Sequence, residues 1–259
     1  MGKVFIGTSG FSYDDWKGVF YPPEMTSKDF LKFYADHYSA LELNFSYYRM
    51  PEAGQARQML AKSGERLEFV IKAHKEMTHE ISERSLGEVV PLFLKGISPF
   101  ISAERLGGIL LQFPQSFHYE TKGRIYLKSL IESLLPCPLF VEFRQKTWLK
   151  DSVYKTLHDL GVGLVCVDEP PLPSLIPPMA IYTSDGGYIR FHGRNMKNWY
   201  GTNARERYDY LYSEAELKEW VPKIAALSER TKKLFIFFNN HAKAQAVTNA
   251  KMLVNLLGL

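Results

Sequence analysis

Residues 139–144 read Leu-Phe-Val-Glu-Phe-Arg. The run is apolar and rich in aromatic and β-branched residues, which predicts a strand, yet it carries two charges. Side chains on a strand alternate faces, so Glu142 and Arg144, two apart, share one. A short strand that is apolar on both faces belongs in a parallel sheet covered by helices. Charges on such a strand are costly unless they are paired.

Runs of this kind recur along the chain. Strands are predicted at 3–7 (KVFIG), 40–44 (ALELN), 68–73 (EFVIKA), 108–112 (GILLQ), 139–143 (LFVEF), 162–168 (VGLVCVD), 188–192 (YIRFH) and 233–238 (KLFIFF). Their starts lie about 33 residues apart on average, the length of a βα unit. Amphipathic helices are predicted at 27–37, 53–62, 124–135, 152–160, 213–228 and 244–257, the fifth opened by a capping box from Ser213 to Glu216. Eight alternating units predict an α/β fold, a single (β/α)8 TIM-type barrel of eight parallel strands filling residues 1–259 as one domain. The proline-rich stretch 170–178 (PPLPSLIPP) reads as a stiff, ordered loop within that domain.

Composition narrows the class. Of the 259 residues 46% are hydrophobic and 23% charged, as in globular proteins and unlike disordered or fibrous chains. No apolar run approaches the roughly 20 residues of a membrane span, and MGKVFIGTSG shows no signal-peptide core. With Cys137 and Cys166 far apart and without metal-ligand spacing, a cytoplasmic protein with free thiols is expected. A net charge of +4 permits an anionic ligand without demanding nucleic acid.

The polar residues gather at the predicted strand ends. They are Thr8 and Ser9, Glu42 and Asn44, Lys72, Gln112, Glu142 and Arg144, Asp168, Arg190 and His192 with Arg194 beyond, and Asn239, Asn240 and His241. Any one of them is ordinarily a turn former or a surface group. Charges breaking several apolar strands at the same end instead predict a shared site at the C-terminal mouth, where barrel enzymes carry their chemistry.

The same residues carry a family resemblance. Gly7-Thr8-Ser9-Gly10-Phe11 through Trp16-Lys17-Gly18, Glu42-Leu43-Asn44-Phe45, Gln112-Phe113-Pro114, Glu142-Phe143-Arg144 with Trp148, Arg190-Phe191-His192-Gly193-Arg194 and Phe238-Asn239-Asn240-His241 together resemble the YecE-like family, domain of unknown function number 72. The resemblance implies a TIM-type barrel and no settled activity. A likeness of this barrel to endonuclease IV-type, metal-dependent DNA repair barrels is analogy alone. The chain departs from the family at Phe11 (usually Trp), at Gln145 (often His) and at Ala244 (commonly Gly). A catalytic role for that histidine does not transfer.

The expected chemistry is that of a hydrolase or lyase on a phosphate- or carboxylate-bearing substrate. Glu42, Glu142, Asp168 and His192 are the catalytic candidates, with Glu142 or Asp168 as general acid or base beside His192. Thr8, Ser9, Asn44, Lys72, Gln112, Arg144, Arg190, Arg194, Asn239, Asn240 and His241 are the substrate-binding candidates. Arg190 is the expected main anion anchor, because Lys72, Arg144, Arg190 and Arg194 outnumber Glu42, Glu142 and Asp168; carboxylates satisfying Arg190 are the alternative. Lys72 is either a salt-bridge partner, the favoured reading, or an amine able to form a Schiff base.

The segment 193–212 adds Lys197, Arg205 and Arg207 among Trp199, Tyr200, Tyr208 and Tyr210, which suits a phosphate or a flipped base, or merely a packed rim. Two rival functions stay open. One is a metal-dependent phosphodiesterase on nucleic acid, for which His79, His192, His241 and the carboxylates leave room for a divalent metal although no HxxxH or HxH spacing exists. The other is a non-catalytic barrel binding a ligand or partner. No resident cofactor and no membrane partner are expected.

Overall fold

The structure, a computed structural model, describes residues 2–201 and 204–259, and their side chains except those of 204 and 205. Eight strands close a barrel in sequence order: β1 (Lys3–Ser9), β2 (Ala40–Leu43), β3 (Glu68–Lys72), β4 (Leu106–Gln112), β5 (Leu139–Glu142), β6 (Gly163–Asp168), β7 (Gly186–Phe191) and β8 (Lys233–Phe238). Every neighbouring pair is parallel, and β1 meets β8 through six registered pairs from Lys3–Lys233 to Thr8–Phe238. All eight predicted strands are present.

The longer helices α1 (Phe30–Ala35), α2 (Ala53–Ser63), α3 (Val90–Ser102), α4 (Thr121–Leu134), α5 (Asp151–Asp159), α6 (Val221–Arg230) and α7 (Gln245–Leu257) fill all but one of the intervals. The exception lies between β6 and β7, where the proline-rich loop replaces a helix. No helix in the described residues is long and apolar enough to cross a membrane. The helix predicted at 213–228 divides into Glu214–Lys218 and α6, because Pro222 lacks the N–H that would continue the first. Its capping box is present: Ser213 Oγ accepts from the Glu216 amide, and Glu216 accepts from the Ser213 amide. Sequence reading passes over α3, whose buried Val90, Phe93, Ile97 and Phe100 are interrupted by Gly96 and Pro99. Gly96 is there for space, since a Cβ would lie 2.1 Å from the Pro51 carbonyl oxygen.

The lower barrel is filled by aromatic rings. Phe5 stacks on Phe235 at 5.1 Å, Phe140 meets Tyr188 at 4.8 Å, and Tyr188 meets Phe237 at 5.3 Å. Gly107 and Gly163 make room for them; a Cβ at either would lie within 2.7 Å of Phe235 or Phe140. Polar groups in phase with these rings collect above this floor, toward the C-terminal end.

Candidate active site

Above the aromatic floor the inward side chains form one ionic network. Arg190, 2% exposed, lies between two carboxylates: Nη2 donates to Glu42 Oε1 at 2.7 Å and Nη1 to Glu142 Oε2 at 2.6 Å. The Tyr188 hydroxyl donates to the other Glu42 oxygen. Arg144 places Nε 2.7 Å from Glu142 Oε1 and donates from Nη1 to Glu169 Oε2 at 3.1 Å. Its Nη2 lies 3.1 Å from His192 Nε2. His192 Nε2 is also 3.2 Å from Glu142 Oε1, and its Nδ1 faces the Asn239 amide at 3.2 Å. The tautomer with hydrogen on Nε2 serves Glu142 and leaves Nδ1 to accept from Asn239.

The electrostatics follow from burial working against pairing. Burial alone would push the Glu142 carboxyl up, but the Arg190 and Arg144 guanidiniums outweigh it and hold Glu142 well below the carboxylate range. His192 is lowered to about 3 by burial and then by Arg144, so its imidazole is neutral. Glu169 is raised to about 7 by burial, which Arg144 only partly offsets. Lys72 is lowered to about 7, first by burial and then by Arg190.

A cavity of about 290 Å³ opens over this network, lined by His79, Gln112, Pro114, Gln115, Arg144, Leu175, Trp199, Tyr200, Arg207 and Tyr208. Its described lining contains two arginines and no carboxylate. Arg144 lies 5.8 Å from the Trp199 ring centroid. Lys72 Nζ donates to Gln112 Oε1 at 2.8 Å and sits 4.3 Å from the Tyr47 ring centroid. A larger apolar groove of about 410 Å³, between α4 and α5, is remote from these groups and belongs to the outer helical layer.

Strand phase sorts the predicted residues. Glu42, Lys72, Gln112, Glu142, Arg144, Arg190, His192 and Asn239 come together. Ser9 and Asn44 share their phase, and Ser9 Oγ and Asn44 Oδ1 are buried without a hydrogen-bond partner. Thr8, Asp168 and Asn240 do not join them. Thr8 bonds to the Tyr34 hydroxyl of α1 at 3.0 Å. Asn240 ties to the Tyr210 carbonyl and to Asn249 of α7 at 2.8 and 2.9 Å.

Asp168 pairs in register with Phe191, whose ring packs on Trp220, and so faces the helices. It accepts from Tyr212, from Trp220 and twice from Arg194, all at 2.7–2.9 Å. Arg194 leaves the strand phase because Gly193, at φ +90, turns the chain outward; a Cβ there would lie 2.8 Å from Tyr210 Cβ. His241 stacks on Tyr13 at 4.6 Å, at the rim. Trp16 and Trp148 are core residues. Arg205 lies outside the described side chains.

Two expectations change with this placement. Arg190 is enclosed by protein carboxylates and cannot be the main anion anchor. The expected surplus of cations also disappears: Asp168 and Arg194 leave as a pair and Glu169 joins, so Lys72, Arg144 and Arg190 face Glu42, Glu142 and Glu169. Sequence reading missed Glu169 because β6 is apolar on both faces; its only signal is the alternation Val165, Val167, Glu169.

Nor does the donor set suit a metal ion. All four oxygens of Glu42 and Glu142 already meet a guanidinium, an imidazole or a hydroxyl. Among the described residues no group of three or more His, Cys, Asp or Glu could hold one.

Residues 5–259 match the family model described as protein of unknown function DUF72. The chain belongs to this family. The similar solved structures include a DUF72 protein of Thermotoga maritima MSB8, 41% identical with a TM-score of 0.91 over 99% of this chain and 100% of that one. Another, of Enterococcus faecalis V583, is 25% identical with a TM-score of 0.87 over 99% and 96%. The UPF0759 protein YunF of Bacillus subtilis (strain 168) is 29% identical over 99% of this chain and 95% of its own. One departure from the DUF72 pattern has a conformational reading: Ala244 adopts φ 60, ψ 21, the left-handed region where the family's common glycine is at ease.

Proposed function

We propose that this DUF72 protein is an enzyme, a hydrolase or lyase, acting on a small phosphate- or carboxylate-bearing substrate held in the cavity at the barrel mouth. The observation that carries this reading is a cavity lined, among the described residues, by Arg144 and Arg207 and by no carboxylate. Arg144 contacts the anion. Glu142 and Glu169 pin its guanidinium from behind, so its remaining N–H groups are oriented before the ligand arrives. Trp199 and Tyr208 supply flat walls.

Ionised Glu142 positions Arg144, and neither it nor neutral His192 exchanges protons near neutrality. Glu169, raised to about 7 by burial, holds Arg144 as a carboxylate above that value. With both cysteines free, the cytoplasm remains the compartment we favour. Tyr200 and Tyr208 beside Arg207 support a second reading, a nucleotide or flipped base as the anion. The small volume favours a small molecule. A metal-dependent route is disfavoured by the occupied carboxylates.

The test is a calorimetric titration of inorganic phosphate into the native protein, Arg207→Ala and Arg144→Lys. A charge-assisted hydrogen bond contributes about 1.5–3 kcal/mol, so Arg207→Ala should weaken binding by about 10- to 150-fold. Arg144→Lys keeps the charge but loses the fork and should also bind more weakly. Absence of saturable binding, or two variants as tight as the parent, overturns the reading.

A further inference from the structure

We propose that Lys72 is the covalent amine of this site, forming a Schiff base with an aldehyde or ketone that carries a carboxylate or phosphate. The inference rests on the anion-binding reading above and assigns its substrate class.

Geometry sets Lys72 apart from the other cations of the network. Arg144 and Arg190 are each held by two carboxylates. Lys72, the last residue of β3, has no carboxylate within 4.0 Å of Nζ among the described residues; its partners are the Gln112 amide oxygen and the Tyr47 ring face. The salt-bridge role expected for it is therefore not the one it has. Gln112, and His79 whose ring lies edge-on to Tyr47 at 4.9 Å, line the cavity, so Lys72 Nζ rests against a side chain of the cavity wall.

A half-buried ammonium held by one neutral acceptor loses its proton easily where burial and the Arg190 and Arg144 guanidiniums outweigh the Glu142 and Glu42 carboxylates. The fall to about 7 agrees with that. Such an amine is nucleophilic at neutral pH.

The step balances without an oxidant. The neutral amine adds to the carbonyl carbon: a C–N bond forms and the π pair moves to oxygen. A proton passes from nitrogen to that oxygen. A second proton, from solvent, lets the hydroxyl leave as water with the C–O pair, and the iminium remains. Arg144 holds the carboxylate or phosphate of the same molecule.

The experiment uses the full chain at neutral pH with glyoxylate and sodium cyanoborohydride, which delivers hydride to the iminium carbon and fixes the adduct as carboxymethyl-lysine. Peptide mass spectrometry locates and times the label. Lys72 should be modified at least about tenfold faster than the exposed lysines, whose neutral fraction at pH 7 is about a thousandth. Inorganic phosphate should slow that labelling, and Lys72→Arg, which keeps the charge, should abolish the fast phase while the thermal transition is retained.

Labelling of Lys72 no faster than of surface lysines overturns the proposal whatever the phosphate titration shows. If phosphate then still binds, the anion-binding reading survives alone. Fast labelling that phosphate does not slow overturns the assigned substrate class.

Discussion

The guanidinium of Arg190 donates to Glu142 at 2.6 Å while only 2% of the residue is exposed to solvent. Glu42 closes the other side, so this arginine is the keystone between the aromatic floor and the barrel mouth. Removing one partner of such a buried cluster leaves uncompensated charge and costs about 3–5 kcal/mol. Arg190→Ala should therefore lower the thermal midpoint by about 6–20 °C, taking 2–4 °C per kcal/mol. A calorimetric shift below about 2 °C would contradict the pairing.

Asp168 and Arg194 should behave as structural residues. Asp168→Asn breaks the ion pair and puts an amide against the Trp220 and Tyr212 donors. It should destabilise by about 1–3 kcal/mol in urea unfolding while leaving phosphate affinity of the folded protein unchanged. A weakened affinity with unchanged stability would return Asp168 to the site.

Acid should weaken the fold in part through His192. Its folded-state pKa, about 3, lies below the ordinary 6.5, so between those values the unfolded chain binds the extra proton. The stability that neutral His192 contributes is complete above pH 6.5 and lost as pH falls toward 3. Glu169, raised to about 7, works in the opposite direction between about 4.5 and 7, so the informative quantity is a difference between proteins. Between pH 4.5 and 6 the parent's stability should rise with pH more steeply than that of His192→Asn, by up to about 1.4 kcal/mol per unit. Parallel curves would show that His192 is protonated in the fold.

Much of the barrel was legible because its eight short apolar runs have the right spacing. The site was legible where a charge interrupts a strand, as Glu42, Glu142 and Arg190 do. It was illegible where phase cannot be read. β6 is buried on both faces, so Asp168 and Glu169 are equally plausible inward groups until the register places Val167 beside Arg190. Arg194 keeps the two-residue spacing from His192, but Gly193 breaks the alternation between them. Helix α3 escaped because Gly96 and Pro99 look like breakers; both are accommodated by packing a sequence does not display.

The most direct test of the central claim is a crystal structure of the protein grown with phosphate, read at the barrel mouth. The account predicts an ordered anion within hydrogen-bond distance of Arg144 and bounded by Arg207, Trp199 and Tyr208, with Arg190 still enclosed between Glu42 and Glu142. An anion bound only elsewhere, or one that reaches Arg190 by displacing either carboxylate, would contradict it.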